Sequence, residues 1–293
     1  MLNSFFQLNP CQNLRTIPDA QSFRALLPIG ASLRNASIAR ALVITNETFE
    51  SVSFENVRLS HAQFCSVTFR ECRFEDSLLI GTRFDQCEFH DCHFLNCNTY
   101  KFQLRDVYID PAAFEFAKLY RTSYANIGVY LYQQLFRNAS NVHQAAFAAK
   151  ADVEMRRWLR HQRRWELRRP KVTTSVMCRK MAEIVGNKMF DLAAKYGYGP
   201  ARFLFVSAVL FALLGAVAFA AWAQFGMVRN GLSVPATRYG EALYYCMLLS
   251  TTLGFSDLMP STPCGRAFAI FCAMFGIAWA GLFTSILVRR IIR

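Results

Sequence analysis

From Phe49 to Ile109 a bulky apolar residue stands at every fifth position: Phe49, Phe54, Leu59, Phe64, Phe69, Phe74, Leu79, Phe84, Phe89, Phe94, Leu104 and Ile109, with Thr99 alone breaking the series. Helices and strands repeat side-chain direction every 3.6 or 2 residues, so neither accounts for a period of five. Two residues before each bulky position lies a mostly small partner: Val52, Val57, Ala62, Val67, Cys72, Ser77, Thr82, Cys87, Cys92 and Cys97. A strict repeat of this kind demands a stacked architecture in which each unit buries its face only against its neighbours.

The pattern resembles the pentapeptide-repeat family, which implies a right-handed, four-sided β-helix with one repeat per side. In that fold the large residue fills the axis, the small one stacks beneath the wall, and the other three positions point outward. Leu33, Ile38 and Val43 keep the spacing one residue out of register, so a slip is expected near Ile44. About four coils are expected. Phe102 is too large for its small-residue slot and marks the approach to the end of the stack. Cys87, His90, Cys92, His93 and Cys97 raise the question of a zinc site. The resemblance places the three thiols inward on successive sides and both imidazoles outward, which favours packing, a common role of free cysteine. Cys72 and Cys92 would stack on one side, but a cytoplasmic location argues against a structural disulfide.

The net charge of +13 is unevenly spread. Residues 1–110 carry 10 basic and 12 acidic side chains, residues 111–202 carry 17 and 6, and residues 203–293 carry 6 and 2. A basic segment just before apolar spans fits the positive-inside bias of membrane proteins, and the chain has no recognisable nucleic-acid-binding motif. Within this segment Val129, Leu131, Tyr132, Leu135 and Phe136 follow helical spacing, Asn138–Asn141 has the composition of a turn, and a second helix is predicted from Ala145 to Pro170. Arg156, Arg157, Arg160, Arg163, Arg164 and Arg168 share one face of it. Two readings stand: a solvated basic face, or contact with anionic lipid headgroups at about 1 kcal/mol per basic residue. Met189–Tyr196 is predicted as a short interfacial helix, with Tyr196, Tyr198 and Arg202 at headgroup level.

Phe203–Phe225 contains no ionisable residue, and its helical length of about 35 Å exceeds the roughly 30 Å hydrocarbon core. Ala267–Val288 is a second such run. Between them Glu241–Ser250 is an apolar helix too short to span, which must be buried in protein or line a cavity. Its C-terminal end, carrying partial negative charge, favours a cation. The next residues, Thr251-Thr252-Leu253-Gly254-Phe255-Ser256-Asp257, resemble the selectivity filter of the potassium-channel pore family. The resemblance implies ion coordination mainly by the backbone carbonyls of Thr252, Leu253, Gly254, Phe255 and Ser256, with Asp257 at the outer mouth. It also implies a homotetramer, since one chain supplies one filter strand. Phe255 stands where tyrosine is usual, and Ser256 replaces a second glycine, where a left-handed backbone costs about 1–2 kcal/mol. Potassium is therefore the expected ion, and a relaxed pore admitting sodium is its rival. Gly276 occupies the family's hinge position, with Gly281 as a rival; close packing of spans is the alternative role for both.

The expected organisation is a mixed multidomain membrane protein: a cap segment (1–30), a pentapeptide-repeat right-handed quadrilateral β-helix (31–112), an α-helical cytoplasmic connector (113–200) and a two-transmembrane pore domain with re-entrant pore helix and filter (201–293). Both termini are expected in the cytoplasm of a bacterial cell with the pore in its inner membrane, because no secretory signal is apparent at the N-terminus and arginines follow the second span. No sensor domain is expected after that span, so control would enter through residues 1–200. The expected function is a tetrameric cation channel that an unknown cytoplasmic partner or ligand acts on through the repeat domain, with no cofactor. The alternative is a membrane-anchored interaction scaffold with a non-conducting or non-selective pore. No nucleophile, base or phosphate loop supports an enzyme, and His61, His143 and His161 lack partners at useful spacing.

Overall fold

The computed structural model describes residues 7–8, 14–39, 42–167, 174–229, 232–235, 238–251 and 258–291, with backbone alone at 174–176 and 289–291. The chain divides into two compact units, Met1–Asn187 and Lys188–Arg293.

The first unit is a β-solenoid whose three-residue strands recur on successive sides of a coil. One face joins β4 (Val43–Thr45), β7 (Gln63–Cys65), β10 (Arg83–Asp85) and β13 (Gln103–Arg105). A second joins β5 (Thr48–Glu50), β8 (Thr68–Arg70) and β11 (Glu88–His90). The third joins β2 (Ser32–Arg34), β6 (Ser53–Glu55), β9 (Arg73–Glu75), β12 (His93–Leu95) and β14 (Phe114–Glu115). The fourth is a ladder of single bridges, Ser37 to Arg58 to Leu78 to Asn98. All pairings along these faces are parallel with a register of about twenty residues, so like residues sit above like. Phe54 stacks on Phe74 and Phe74 on Phe94, each at 4.6 Å between ring centroids and nearly coplanar. The five strands of the third face make about five coils rather than four, because β2 and β14 extend the stack at both ends.

The corners explain the outward composition. Asn46, Ser51, Asn56, His61, Ser66, Glu71, Asp76, Gly81, Gln86, Asp91, Asn96, Lys101 and Asp106 all have positive φ, each two residues after an axial position. Asn, Asp and Gly enter that left-handed region most readily. The residue that enters the axis near the predicted slip is Ile44, while Val43 is 48% exposed. The change of phase therefore falls between the buried Ile38 and Ile44.

Both ends of the axis are plugged. Before the first full coil β1 (Arg15–Ile17) pairs with β3 (Ala36–Ile38), and α1 (Ala20–Ala25) lies between them. Asp19 caps α1 by accepting from the Ser22 N–H at 2.7 Å, and this bond holds its carboxyl below the ordinary range. Phe23 of α1 then enters the axis beside Phe49, Phe54 and Phe64. At the other end Thr99 and Phe102 exchange sizes: Thr99 is buried at an axial position, Phe102 is buried in a small-residue slot, and its ring lies 5.3 Å from Phe84.

Three helices follow: α2 (Lys118–Ser123), α3 (Ala125–Asn141) and α4 (Ala145–Leu167). The turn expected at Asn138–Asn141 is instead the last turn of α3, because Asn138 is buried and its amide serves the solenoid end. Its Nδ2 donates to the Val107 carbonyl at 2.7 Å and its Oδ1 accepts from the Val107 N–H at 3.0 Å. Trp158 of α4 lies directly on Gly128 of α3, where any side chain would overlap the indole. The interfacial helix expected at Met189–Tyr196 is the end of a longer helix, α5 (Thr174–Ala194), followed by a 3-10 turn at Lys195–Gly197.

The second unit contains α6 (Pro200–Ala220), the single turn α7 (Trp222–Phe225), β15 (Met227–Arg229), β16 (Leu232–Ser233), α8 (Tyr239–Ser250), β17 (Leu258–Pro260) and α9 (Pro263–Ile291). The first apolar helix ends at Ala220 rather than Phe225, and the chain turns left-handed at Gly226. Both α6 and α9 are long and apolar enough to cross a membrane, and only 17% of the most apolar stretch of each is buried. A core helix of a soluble protein would be covered; these expose Phe205, Leu213, Ile270 and Met274.

Candidate functional site

The short apolar helix α8 is held between α6 and α9 by close backbone approach. Gly215 of α6 sits where a Cβ would lie 3.2 Å from the Leu243 Cα, and Tyr239 at the start of α8 donates its hydroxyl to the Ala212 carbonyl at 2.6 Å. On the other side Gly276 of α9 lies against the Ser250 carbonyl, so closely that a methyl group would overlap it. Ala242, Tyr245 and Cys246 of α8 are buried with Ala218, Trp222 and Cys272 in one apolar cluster. The Trp222 ring meets Tyr245 edge-on, and its Nε1 donates to the Val234 carbonyl at 2.7 Å.

Thr251 closes the C-terminal end of α8: its N–H bonds the Met247 carbonyl at 3.0 Å and its hydroxyl lies 3.0 Å from the same oxygen. The sequence-predicted filter residues Thr252, Leu253, Gly254, Phe255 and Ser256, and Asp257 at the mouth, lie outside the described residues. The chain is described again at Leu258, and there β17 pairs antiparallel with β15, Leu258 opposite Arg229 and Pro260 opposite Met227. The described residues on either side of it are held, Ser250 against Gly276 of α9 and Leu258–Pro260 against the strand that follows α6. That strap is the feature sequence reasoning missed.

The second span begins from the same anchor. Thr262 accepts from the Gly265 N–H at 3.2 Å and donates to the Gln224 carbonyl at 2.8 Å, tying the start of α9 to α7, and Pro263 takes the first helical position. Lower in the pair Trp279 donates from Nε1 to the Ser207 Oγ at 2.7 Å and stacks on Phe203 at 4.7 Å. An apolar cavity of about 560 Å³ lined by Phe203, Phe211, Trp279 and Phe283 reaches Ser250 and Thr251. Of the two hinge candidates, Gly276 is packed against α8 and a Cβ at Gly281 would meet nothing within 4 Å.

The arginine face of α4 is largely occupied by protein. Arg156 pairs with the buried Asp152 at 3.0 Å, Arg157 with Glu154 at 2.7 Å, and Arg163 with Glu183 of α5 at 3.5 Å. Arg160 donates to the Asn187 carbonyl of α5 at 3.3 Å, and Lys180 of α5 pairs with Glu166 at 2.8 Å. Arg164 is exposed, and Arg168 lies outside the described residues. Burial and the neighbouring Arg164, Arg121 and Arg160 hold His161 below its ordinary pKa.

The cysteine ladder has a structural chemistry. Cys72, Cys87, Cys92 and Cys97 each direct Sγ at a carbonyl one coil below, at Phe49, Phe64, Phe69 and Phe74, 3.3 to 3.5 Å away. Ser77 and Thr82 make the same bond to Phe54 and Leu59 through hydroxyls. Burial raises the Cys87 thiol to about 11 and the Cys97 thiol to about 12, so neither is a thiolate near neutrality. His90 turns away from them, bonding Glu88 at 3.0 Å and stacking on Tyr108.

Residues 203–293 match the family described as ion channel, and residues 47–124 match that described as pentapeptide repeat region. No curated protein and no solved structure matches the chain.

Proposed function

From the premise that this chain fuses a pentapeptide-repeat β-helix to a two-transmembrane channel domain, we propose that it is one subunit of a homotetrameric potassium channel whose repeat domain assembles or gates the pore. The observation that carries the reading is the placement of α8: a 12-residue apolar helix lodged between two span-length helices, with its C-terminal end leading directly into Thr252–Asp257. A helix of that length cannot cross a bilayer, and its orphan carbonyls give a cation-attracting end. The six residues that follow carry the threonine and glycine a carbonyl filter needs, and four such segments around an axis would complete the coordination shell. The pore sits in a bacterial inner membrane with both chain ends cytoplasmic, and a cytoplasmic partner or ligand acts through the first unit.

The test is potassium and sodium flux through the purified full chain in liposomes, beside Gly254→Asp. Potassium-preferring flux that disappears in the variant is the expected result. Equal flux of both ions would replace the potassium reading with a relaxed cation pore, and Ser256 would be its cause. Absence of flux under every ion gradient would leave a membrane-anchored scaffold or a pore held shut without its cytoplasmic partner or ligand.

A further inference from the structure

The hydrogen-bond ladder of the solenoid opens at one corner. Along the wall that holds Cys72 and Cys92, neighbouring coils answer each other: the Glu71 N–H donates to the His90 carbonyl at 2.9 Å, the His93 N–H to the Cys72 carbonyl at 2.9 Å, and the Cys92 thiol to the Phe69 carbonyl at 3.5 Å. Twenty residues on, the same bonds would join Asp91 to Asp110, Ala113 to Cys92, and the side chain at 112 to Phe89. The chain leaves that course. Asp110 caps a 3-10 turn at Pro111–Ala113, where its own carbonyl accepts from the Ala113 N–H at 3.0 Å, and position 112 is alanine, which has no side-chain donor. The N–H groups of Asp91 and Asp110 and the carbonyls of Phe89 and Cys92 are thus left unbonded among the described residues. The ladder is intact on both sides of the gap, with the Phe89 N–H donating to the Tyr108 carbonyl at 2.8 Å and the Asn96 N–H to the Glu115 carbonyl at 2.9 Å.

The gap is a pocket of about 200 Å³ lined by these four residues together with Ile109 and Ala113. Phe89, Cys92 and Ile109 are buried at its inner end, and Asp91 is exposed at its mouth. The Asp110 carboxylate is not free to fill it, because it already accepts from Lys150 at 2.7 Å and from the Ala112 N–H at 2.9 Å. Backbone polar groups away from bulk water are nearly always paired, so two donors and two acceptors at one break require an occupant.

The geometry points to a binding site for a small primary carboxamide. That group carries two N–H donors and a carbonyl oxygen with two lone pairs, the complement in number and kind of two carbonyls and two N–H groups. A carboxylate offers no donor to Phe89 and Cys92, and an ammonium offers no acceptor to Asp91 and Asp110. The space is smaller than the roughly 300 Å³ at which drug-sized sites begin, so the body behind the amide is compact, and Ile109 and Ala113 give it an apolar wall. The use of the site by the cell rests on the proposed function, which calls for a ligand acting through the first unit; binding is read without ion flux, so the two fail separately.

The probe is benzamide, titrated calorimetrically into the purified full chain in detergent, with empty micelles as the blank and benzoate and N,N-dimethylbenzamide as comparisons. Saturable heat with benzamide is expected, and binding at least about tenfold weaker for the two analogues, which leave buried carbonyls without donors. Hydrogen exchange followed by mass spectrometry should show slower exchange at the amides of Asp91 and Asp110 when benzamide is present. Equal affinity for all three compounds would overturn the proposal, as would saturable binding that leaves exchange at those two amides unchanged. Heat no different from the blank would overturn it too, and ordered water alone would then fill the gap.

Discussion

A methyl group added at Gly276 would overlap the Ser250 carbonyl, whereas one at Gly281 meets nothing within 4 Å. Gly276→Ala is therefore expected to destabilise the second unit by about 1–3 kcal/mol, the usual cost of overpacking, while Gly281→Ala leaves melting in detergent unchanged. Equal melting of the two variants would show that α8 and α9 separate freely. Thr99 and Phe102 allow a second test. The Thr99 hydroxyl is buried with no hydrogen-bond partner among the described residues, so Thr99→Val should raise stability by roughly 1 kcal/mol. Phe102→Ala, which empties the compensating ring, should cost about 3–5 kcal/mol. Denaturant midpoints of the two variants check both signs. Most of the solenoid's single residues were legible in the sequence, because a period of five fixes which side chains point inward. The dual bond of Asn138 was not, since its partner lies 31 residues away and an Asn-Ala-Ser-Asn run has the composition of a turn.

Among the elements, α3 closes the solenoid by hydrogen bonding rather than by apolar cover alone. Asn138→Ala would leave a buried N–H and a buried carbonyl of Val107 unpaired, at a cost above about 2 kcal/mol. The variant's unfolding, followed by the β signal, should begin at lower denaturant. The cysteine faces make the solenoid sensitive to base. Cys87 and Cys97 lie at about 11 and 12 when folded and near 9.0 otherwise, so the folded chain holds these protons more tightly. Their contribution is complete below about pH 9 and is lost as pH rises through the folded values. Stability of the first unit should therefore fall between pH 9 and 12, and less steeply in a Cys87→Ala, Cys97→Ala chain. At this scale α8 was legible, because an apolar run too short to span can only re-enter. The strap of β15, β16 and β17 was not: strands of two or three residues have no period, and Met227–Arg229 finds its partner only through the fold.

In the molecule as a whole, the β-helix has a sequence signature that survives at any length, whereas the six residues proposed to choose the ion are specified by a motif alone. Each residue of the solenoid repeats its environment twenty positions later, as Gln63, Arg83 and Gln103 do on the first face. Removing residues 63–82 joins Ala62 to Arg83 in unchanged phase, so the shortened chain should fold and keep the flux of the parent. Removing residues 63–67 preserves the inward pattern but carries every later side onto the neighbouring face, so Phe54 loses Phe74 and meets Leu79 of the single-bridge side; that chain should lose cooperative unfolding. Circular dichroism melts of the two deletions decide the point. Growth of such a domain is consequently quantised: it lengthens by whole floors, and any other increment turns the staircase so that its upper landing faces the wrong door.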